Sequence, residues 1–254
     1  MGKIVAVANQ KGGVGKTTTA VNLAAAVGER GKKILLVDFD PQGNATSGFG
    51  INKRTTKKSS YDVLISGVAP QEAAITTKFK NVDVIPSSMA LAGAEIELVD
   101  MENRTMKLRG ALLKLKEVYD YIFIDCPPSL GLVTLNALAS CDSILIPIQC
   151  EYYALEGLSQ LIQTVRTVKD KFNRDIDIEG VLFTMYDGRL NLTLQVVDEV
   201  KKHFPNKVYA STISRNVKLS EAPSFGQPVM YYDRRSKGAF DYYALADEFL
   251  KNNR

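Results

Sequence analysis

The chain alternates between short apolar runs and longer stretches in which apolar residues return every three or four positions. The runs over 3–8, 33–38, 82–86, 121–125, 144–148, 180–185 and 208–212 predict strands. The longer stretches predict helices. One covers 16–30, with Ala20, Leu23, Ala24 and Val27 on one face. Another follows the strand at 144–148, with Leu155, Leu158, Leu161, Ile162 and Val165 in register. Two more cover 190–203 and 239–250, two short ones are expected over 61–67 and 71–76, and 91–118 reads as largely helical. Residues 44–60, entered through Pro41-Gln42-Gly43-Asn44, read as a long loop. Strands separated by helical crossovers imply an α/β fold, a doubly wound, mostly parallel sheet with helices on both faces. With no linker or repeat, residues 1–254 read as one domain, with no separate N-terminal helix-turn-helix domain.

Ligands of such sheets bind beyond the carboxyl ends of the strands. Three strand ends here carry chemistry. Ile4–Ala8 runs into Gln10-Lys11-Gly12-Gly13-Val14-Gly15-Lys16-Thr17-Thr18-Thr19, a glycine-rich turn opening a helix. Its backbone N–H groups and the helix dipole form a phosphate cradle. Lys16 supplies charge to the β- and γ-phosphates and Thr17 a hydroxyl to Mg²⁺. Gln10 stands where the common loop has glycine, and a second lysine, Lys11, opens the turn. Two cations on one small turn repel unless a polyanion lies between them. Lys11, at the far edge from Lys16, is placed to reach a phosphate held by a neighbouring subunit. The second strand end carries Asp38 and Asp40. Asp40 is the candidate to align the attacking water or hold Mg²⁺ through water; Asp38 can equally cap the turn and ranks below it. The third carries Asp125, a candidate for holding Mg²⁺ through water, with capping of the turn before Cys126-Pro127-Pro128 as the alternative.

Apolar residues make up 45% of the chain, which excludes wholesale disorder. No run approaches the roughly 18–20 apolar residues needed to span a bilayer. The first strand leads directly into the loop and does not read as a cleavable leader, so a cytoplasmic protein is expected. Cys126, Cys141 and Cys150 match no zinc or iron–sulfur spacing and read as small buried residues. His203, the only histidine, reads as structural or surface. The net charge of +4 falls within 187–238, which holds nine Lys/Arg against five Asp/Glu, and the remainder is neutral. A second basic run, Lys53-Arg54-Thr55-Thr56-Lys57-Lys58, falls in the predicted loop.

The loop from Lys11 to Thr18, Asp38-Phe39-Asp40-Pro41-Gln42-Gly43-Asn44 and Ile124-Asp125-Cys126-Pro127-Pro128-Ser129 together resemble the signature set of the ParA/Soj partition ATPases. These belong to the deviant-Walker group that includes MinD and the nitrogenase iron protein. Leu91–Glu95, the stretch from Gln149 to Leu158 and the stretch from Arg215 to Ser224 extend the likeness over essentially the whole chain. The resemblance implies ATP and Mg²⁺ as cofactors. It implies a homodimer formed with ATP, in which Lys11 of each subunit contacts the phosphates bound by the other and Gly12 lies where the two backbones come closest. Lys11, Gly12, Gly13, Val14, Gly15, Lys16, Thr17 and Thr18 would hold the nucleotide, Asp40 would support hydrolysis, and Asn216 would touch the adenine. Ser214 replaces a proline common in the family beside that base pocket. The family pattern further implies non-specific DNA binding, a ParB-type centromere-binding partner and nucleoid association.

Non-specific DNA binding needs cations that track phosphates. In the basic window these are Arg189, Arg215, Lys218, Arg234 and Arg235, with Lys201 and Lys202 next; Arg189 and Lys218 match basic DNA-binding positions of the family. The alternative is a solvated charged surface, with Arg234 and Arg235 paired to Asp233 or Asp241. A MinD-like membrane-cycling ATPase is the rival reading. It calls for a basic amphipathic helix, whereas Ala246–Arg254 is short and partly acidic. A metabolic ligase or kinase would need acceptor-binding residues, and none stands out.

Overall fold

The computed structural model describes residues 1–151 and 154–254. Eight strands form one sheet: β1 (Lys3–Val7), β2 (Ile34–Asp38), β3 (Ile75–Thr76), β4 (Val82–Ile85), β5 (Tyr121–Asp125), β6 (Ser143–Gln149), β7 (Asp177–Tyr186) and β8 (Ile213–Ser214). Their order is β3-β4-β2-β5-β1-β6-β7-β8, parallel throughout except for β3 against β4. The helices are α1 (Lys16–Glu29), α2 (Asn44–Gly48), α3 (Ser60–Leu64), α4 (Pro70–Ala73), α5 (Leu91–Glu97), α6 (Lys107–Leu112), α7 (Leu132–Ser140), α8 (Ala154–Lys171), α9 (Asn191–His203), α10 (Val217–Glu221), α11 (Val229–Tyr232) and α12 (Lys237–Asn252).

The central strands are apolar throughout because both of their faces are covered. Successive side chains alternate between the faces. Ile4, Leu35 and Ile122 join Leu108, Val133, Leu161 and Val200 in one core. Val5, Leu36 and Phe123 join Leu23, Val27, Tyr242 and Phe249 in the other. The doubly wound, mostly parallel sheet expected from the sequence is therefore the observed one. β1 lies between β5 and β6, where the winding reverses, which is where such sheets bind ligands. Register there is strict: Val7 and Asp38 both lie opposite Asp125.

Four stretches differ from expectation. The predicted loop 44–60 begins with a helical turn, α2, because the Asp38 carboxylate accepts from the Thr46 N–H (2.7 Å) and hydroxyl (2.6 Å). The helix expected over 71–76 ends at Ala73, and Ile75 pairs with Val84 as an edge strand. The largely helical 91–118 is broken after Asp100, where Met101 turns extended (φ −85°, ψ 138°), and the left-handed Asn103 (φ 53°) lies in the turn that follows. The strand expected at 208–212 reduces to one bridge from Val208 to Val181. The Ala210 and Ser211 N–H groups are taken by the Glu248 carboxylate, which removes them from the ladder, and pairing resumes at Ile213. Tyr152 and Tyr153, within the motif from Gln149 to Leu158, lie outside the described residues.

Candidate active site

Gly13 (φ 74°) and Gly15 (φ 83°) take left-handed backbone that only glycine adopts readily, and they turn the chain from β1 into α1. No side chain caps α1, and its first turn holds no acid. Its leading N–H groups, from Lys16 onward, therefore remain directed at whatever anion lies over the loop. The loop is braced from outside. The Asn9 amide donates to the Pro147 carbonyl (2.7 Å), its oxygen accepts from the Lys11 N–H (3.0 Å), and the Thr184 hydroxyl donates to the Val14 carbonyl (2.8 Å). These braces come from the ends of β6 and β7. Sequence reading missed Asn9 and Thr184, although position at a strand's carboxyl end was signal enough.

Lys16 is buried, and its ammonium donates to the Lys11 carbonyl (2.9 Å). Burial pushes its pKa below the usual lysine range, while Asp125, Cys126 and Asp40 push back. Lys11 lies at the half-exposed rim, and its ammonium pairs with Glu151 just past β6. Gly12 and Gly13 are exposed, with open space where a side chain would project. A cavity of about 740 Å³ at the opposite end of the strands, lined by Lys3, Lys33, Lys116 and Tyr119, contains none of the predicted site residues. Among the described residues the loop is an exposed face.

Asp38 and Asp125 are both fully buried and adjacent across β2 and β5. Asp38 accepts from Thr46 and from the Asp40 N–H (3.3 Å), so its carboxylate is spent on shaping the turn, the capping role allowed for it. Burial pushes its pKa to about 6 against the pull of those Thr46 bonds. Burial, and then the Asp38 charge, hold Asp125 well above the ordinary carboxylate range. The Thr17 hydroxyl is near enough to oppose that rise but falls short of hydrogen-bond geometry, and neither Asp125 oxygen has a partner among the described residues. Asp40 is half-exposed; its carboxylate accepts from the Gln42 N–H (2.9 Å) and its carbonyl from Gly43 (2.9 Å), which fixes the tip of the turn.

An orphaned buried carboxylate beside a threonine hydroxyl and an anion cradle fits Mg²⁺ shared with phosphate oxygens, since this ion keeps waters and takes few protein ligands. Consistently, the described residues contain no group of three or more His, Cys, Asp or Glu able to hold a metal unaided. The charge buried at Asp38 and Asp125 gives an expected result. Asp125→Asn should stabilise the protein at pH 7, because the amide carries no charge to be buried beside Asp38. Both carboxyls bind protons more tightly folded than unfolded. Stability is therefore lost as pH rises from about 4 through the Asp38 value of about 6. Thermal melts of the wild type should fall more steeply with rising pH than those of Asp125→Asn, the two converging at low pH where Asp125 is protonated.

Arg189, Arg215, Asn216 and Lys218 follow the carboxyl ends of β7 and β8, and Arg234 and Arg235 lie between α11 and α12. Arg189, just past β7, is exposed and forks onto Asp187 (2.8 and 2.6 Å). Arg215, just past β8, contacts the Met185 sulfur (3.8 Å). Asn216 caps α10 by accepting from the Lys218 N–H (3.0 Å). Lys218 pairs with Glu221 (2.9 Å) and lies over the Tyr232 ring (5.6 Å). Arg234 pairs with Glu29 (3.6 Å), which neither suggested partner anticipated, and Arg235 is exposed. Cys126 and Cys141 are buried free thiols, pushed up by burial, Cys141 to about 12. His203 is exposed and contacts the Glu199 carbonyl (3.0 Å).

A family model described as an AAA domain matches residues 2–178. The sporulation initiation inhibitor protein Soj of Bacillus subtilis is 58% identical, the alignment covering 99% of this chain and 100% of the relative. The chromosome partitioning protein ParA of Myxococcus xanthus is 52% identical, over 100% of this chain and 89% of the relative. A structure of cobyrinic acid a,c-diamide synthase from Mycobacterium smegmatis, with an ATP analogue and magnesium bound, superposes with a TM-score of 0.89 at 36% identity, covering 100% of this chain and 96% of that one.

Proposed function

The chain belongs to the Soj/ParA family of chromosome-partitioning ATPases, and from that premise we propose that it is a dimeric switch, joined by ATP and released by hydrolysis, that holds DNA without sequence preference. ATP and Mg²⁺ are its cofactors. The observation that carries the dimer is the exposed loop: a braced phosphate cradle with Lys16 inside it, Lys11 at its rim and, among the described residues, nothing within 4 Å of where a side chain on Gly12 or Gly13 would project. A second protomer presenting the same face completes the site, by the self-complementary contact of a two-fold dimer.

In this reading the N–H groups of the loop from Gly12 to Thr18 orient the triphosphate. Lys16 leaves the Lys11 carbonyl for the β- and γ-phosphates, and Lys11 leaves Glu151 for the partner's phosphates. The Lys11–Glu151 pair is half-exposed and worth about 1 kcal/mol or less, so a triphosphate outcompetes it. Thr17 and Asp125 would hold Mg²⁺, which would neutralise developing charge on the phosphates. Asp40 aligns the attacking water, and Asn216 uses its free amide on the adenine while its oxygen caps α10. Residues 1–254 act as a single unit in this cycle.

The DNA contact is assigned to Arg189, Arg215, Lys218, Arg234 and Arg235. Arg189 and Lys218 are held by their own acids in exposed pairs, which phosphates displace at little cost. A ParB-type protein would stimulate hydrolysis at the centromere, and the ATP dimer would reside on the nucleoid. No helix among the described residues is long and apolar enough to cross a membrane. The rival membrane-cycling reading needs a free amphipathic helix, and α12 buries Tyr242, Leu245 and Phe249 against the sheet.

DNA retention with ATP, with ADP and without nucleotide, at two salt concentrations, tests the reading: binding should require ATP. Arg189→Ala or Lys218→Ala should weaken binding to every sequence alike and make the log–log salt slope shallower by roughly 0.9 for each DNA phosphate that is no longer neutralised. An unchanged slope removes that residue from the surface.

A further inference from the structure

The basic run at 53–58 belongs to none of the roles above. Residues 41–61 contain four Lys/Arg and no acid. The run is not a loose tail. Asn52 gathers it, its carboxamide oxygen accepting from the Arg54 N–H (3.0 Å) and its carbonyl from the Thr55 and Thr56 hydroxyls (3.2 and 3.0 Å). Lys53 donates to the Gln42 carbonyl (2.6 Å), two residues beyond Asp40, and Lys58 pairs with Glu72. That leaves Arg54 and Lys57, both exposed and, among the described residues, in no ion pair.

Across from this loop lies the segment that follows α10. Gly50 and Gly226, both at positive φ, meet backbone to backbone; a Cβ on Gly226 would lie 2.5 Å from the Gly50 Cα. Arg54 and Phe225 line one open groove of about 400 Å³. Phe225 is 62% exposed and stacks on Tyr232 (4.9 Å), which in turn lies under Lys218. Two carboxylates border this strip, Glu221, bonded to Lys218 and to the Tyr232 hydroxyl (3.0 Å), and Asp233. Lys218, Tyr232 and Phe225 thus form a contacting strip whose far end lines the same groove as Arg54.

We propose that Arg54 and Lys57 form a second duplex-DNA backbone contact, continuous with the Lys218 surface through Phe225 and Tyr232. The inference rests on the DNA reading above and adds a surface to it. Because Lys53 ties the loop to Gln42, this contact is carried on the same turn that presents Asp40, and its placement follows that turn.

The test is fluorescence anisotropy of a random-sequence duplex with full-length protein and a non-hydrolysable ATP analogue, from 50 to 200 mM salt. Arg54→Ala/Lys57→Ala should bind several-fold more weakly and make the log–log salt slope shallower by about 1.8 per protomer, roughly 0.9 for each of the two phosphates set free. The charge-preserving Arg54→Lys/Lys57→Arg should restore the slope, and nucleotide affinity measured on the same preparations establishes that each is folded. A wild-type slope in the alanine variant overturns this inference while leaving the DNA reading standing, provided that Arg189→Ala still alters it. Absence of DNA binding by the unmodified protein overturns both. Retention on anionic vesicles but not on duplex, abolished in the alanine variant, assigns the patch to lipid and overturns the proposal.

Discussion

Asp40→Ala is expected to slow ATP hydrolysis by about 10²-fold or more, the usual scale for a side chain that positions or accepts the reacting proton, while ATP still binds and still joins two chains. The expectation follows from what the turn loses and keeps. The carboxylate at the tip disappears, together with its bond to the Gln42 N–H. The bond from Gly43 to the Asp40 carbonyl, and the Asp38 anchor on Thr46, do not involve that side chain and remain. The turn should therefore persist without its catalytic group. Asp40→Asn separates two roles, because the amide can still accept from Gln42 but carries no charge. If water alignment by charge is what matters, Asn should be as slow as Ala; if shape alone matters, Asn should recover. Phosphate release read against the KM for ATP decides, and wild-type turnover in Asp40→Ala would remove Asp40 from the mechanism.

Lys11→Ala should abolish ATP-dependent dimerisation. Truncating one partner of a desolvated charge pair costs about 2–5 kcal/mol, and a two-fold dimer contains the pair twice. The dimer dissociation constant should therefore rise by about 10³-fold or more. The backbone carbonyl that holds Lys16 is untouched by the change, so the cradle and much of the nucleotide affinity should survive. Glu151→Gln supplies the opposite sign: it weakens the internal pair that Lys11 must leave and should favour the dimer slightly, in line with the small worth of a half-exposed pair. An undiminished dimer in Lys11→Ala would place the inter-subunit contact elsewhere.

The sheet and most of its site were legible from local sequence because the signals are local. Strand ends declare themselves where an apolar run meets Gly12, Asp38 or Asp125, and in a parallel sheet those ends share one edge. What local pattern could not reveal is held by distant partners. The turn α2 exists because Asp38 caps it from the end of β2, and the Ser87 N–H donates to the same Thr46 hydroxyl (3.0 Å). The strand expected at 208–212 fails because Glu248, some 40 residues on, takes its donors. The Lys11–Glu151 pair spans 140 positions. Arg54 was visible as charge, but only folding places it in one groove with Phe225.

The central claim is that the triphosphate itself joins two copies of this chain. Light scattering of Asp40→Ala with Mg²⁺ and ATP tests it most directly, since slow hydrolysis holds the bound state in place. The expected result is a species of twice the 27.9 kDa chain mass with ATP and of single mass with ADP. A single-chain mass at saturating ATP, or a doubled mass indifferent to the terminal phosphate, would contradict the account.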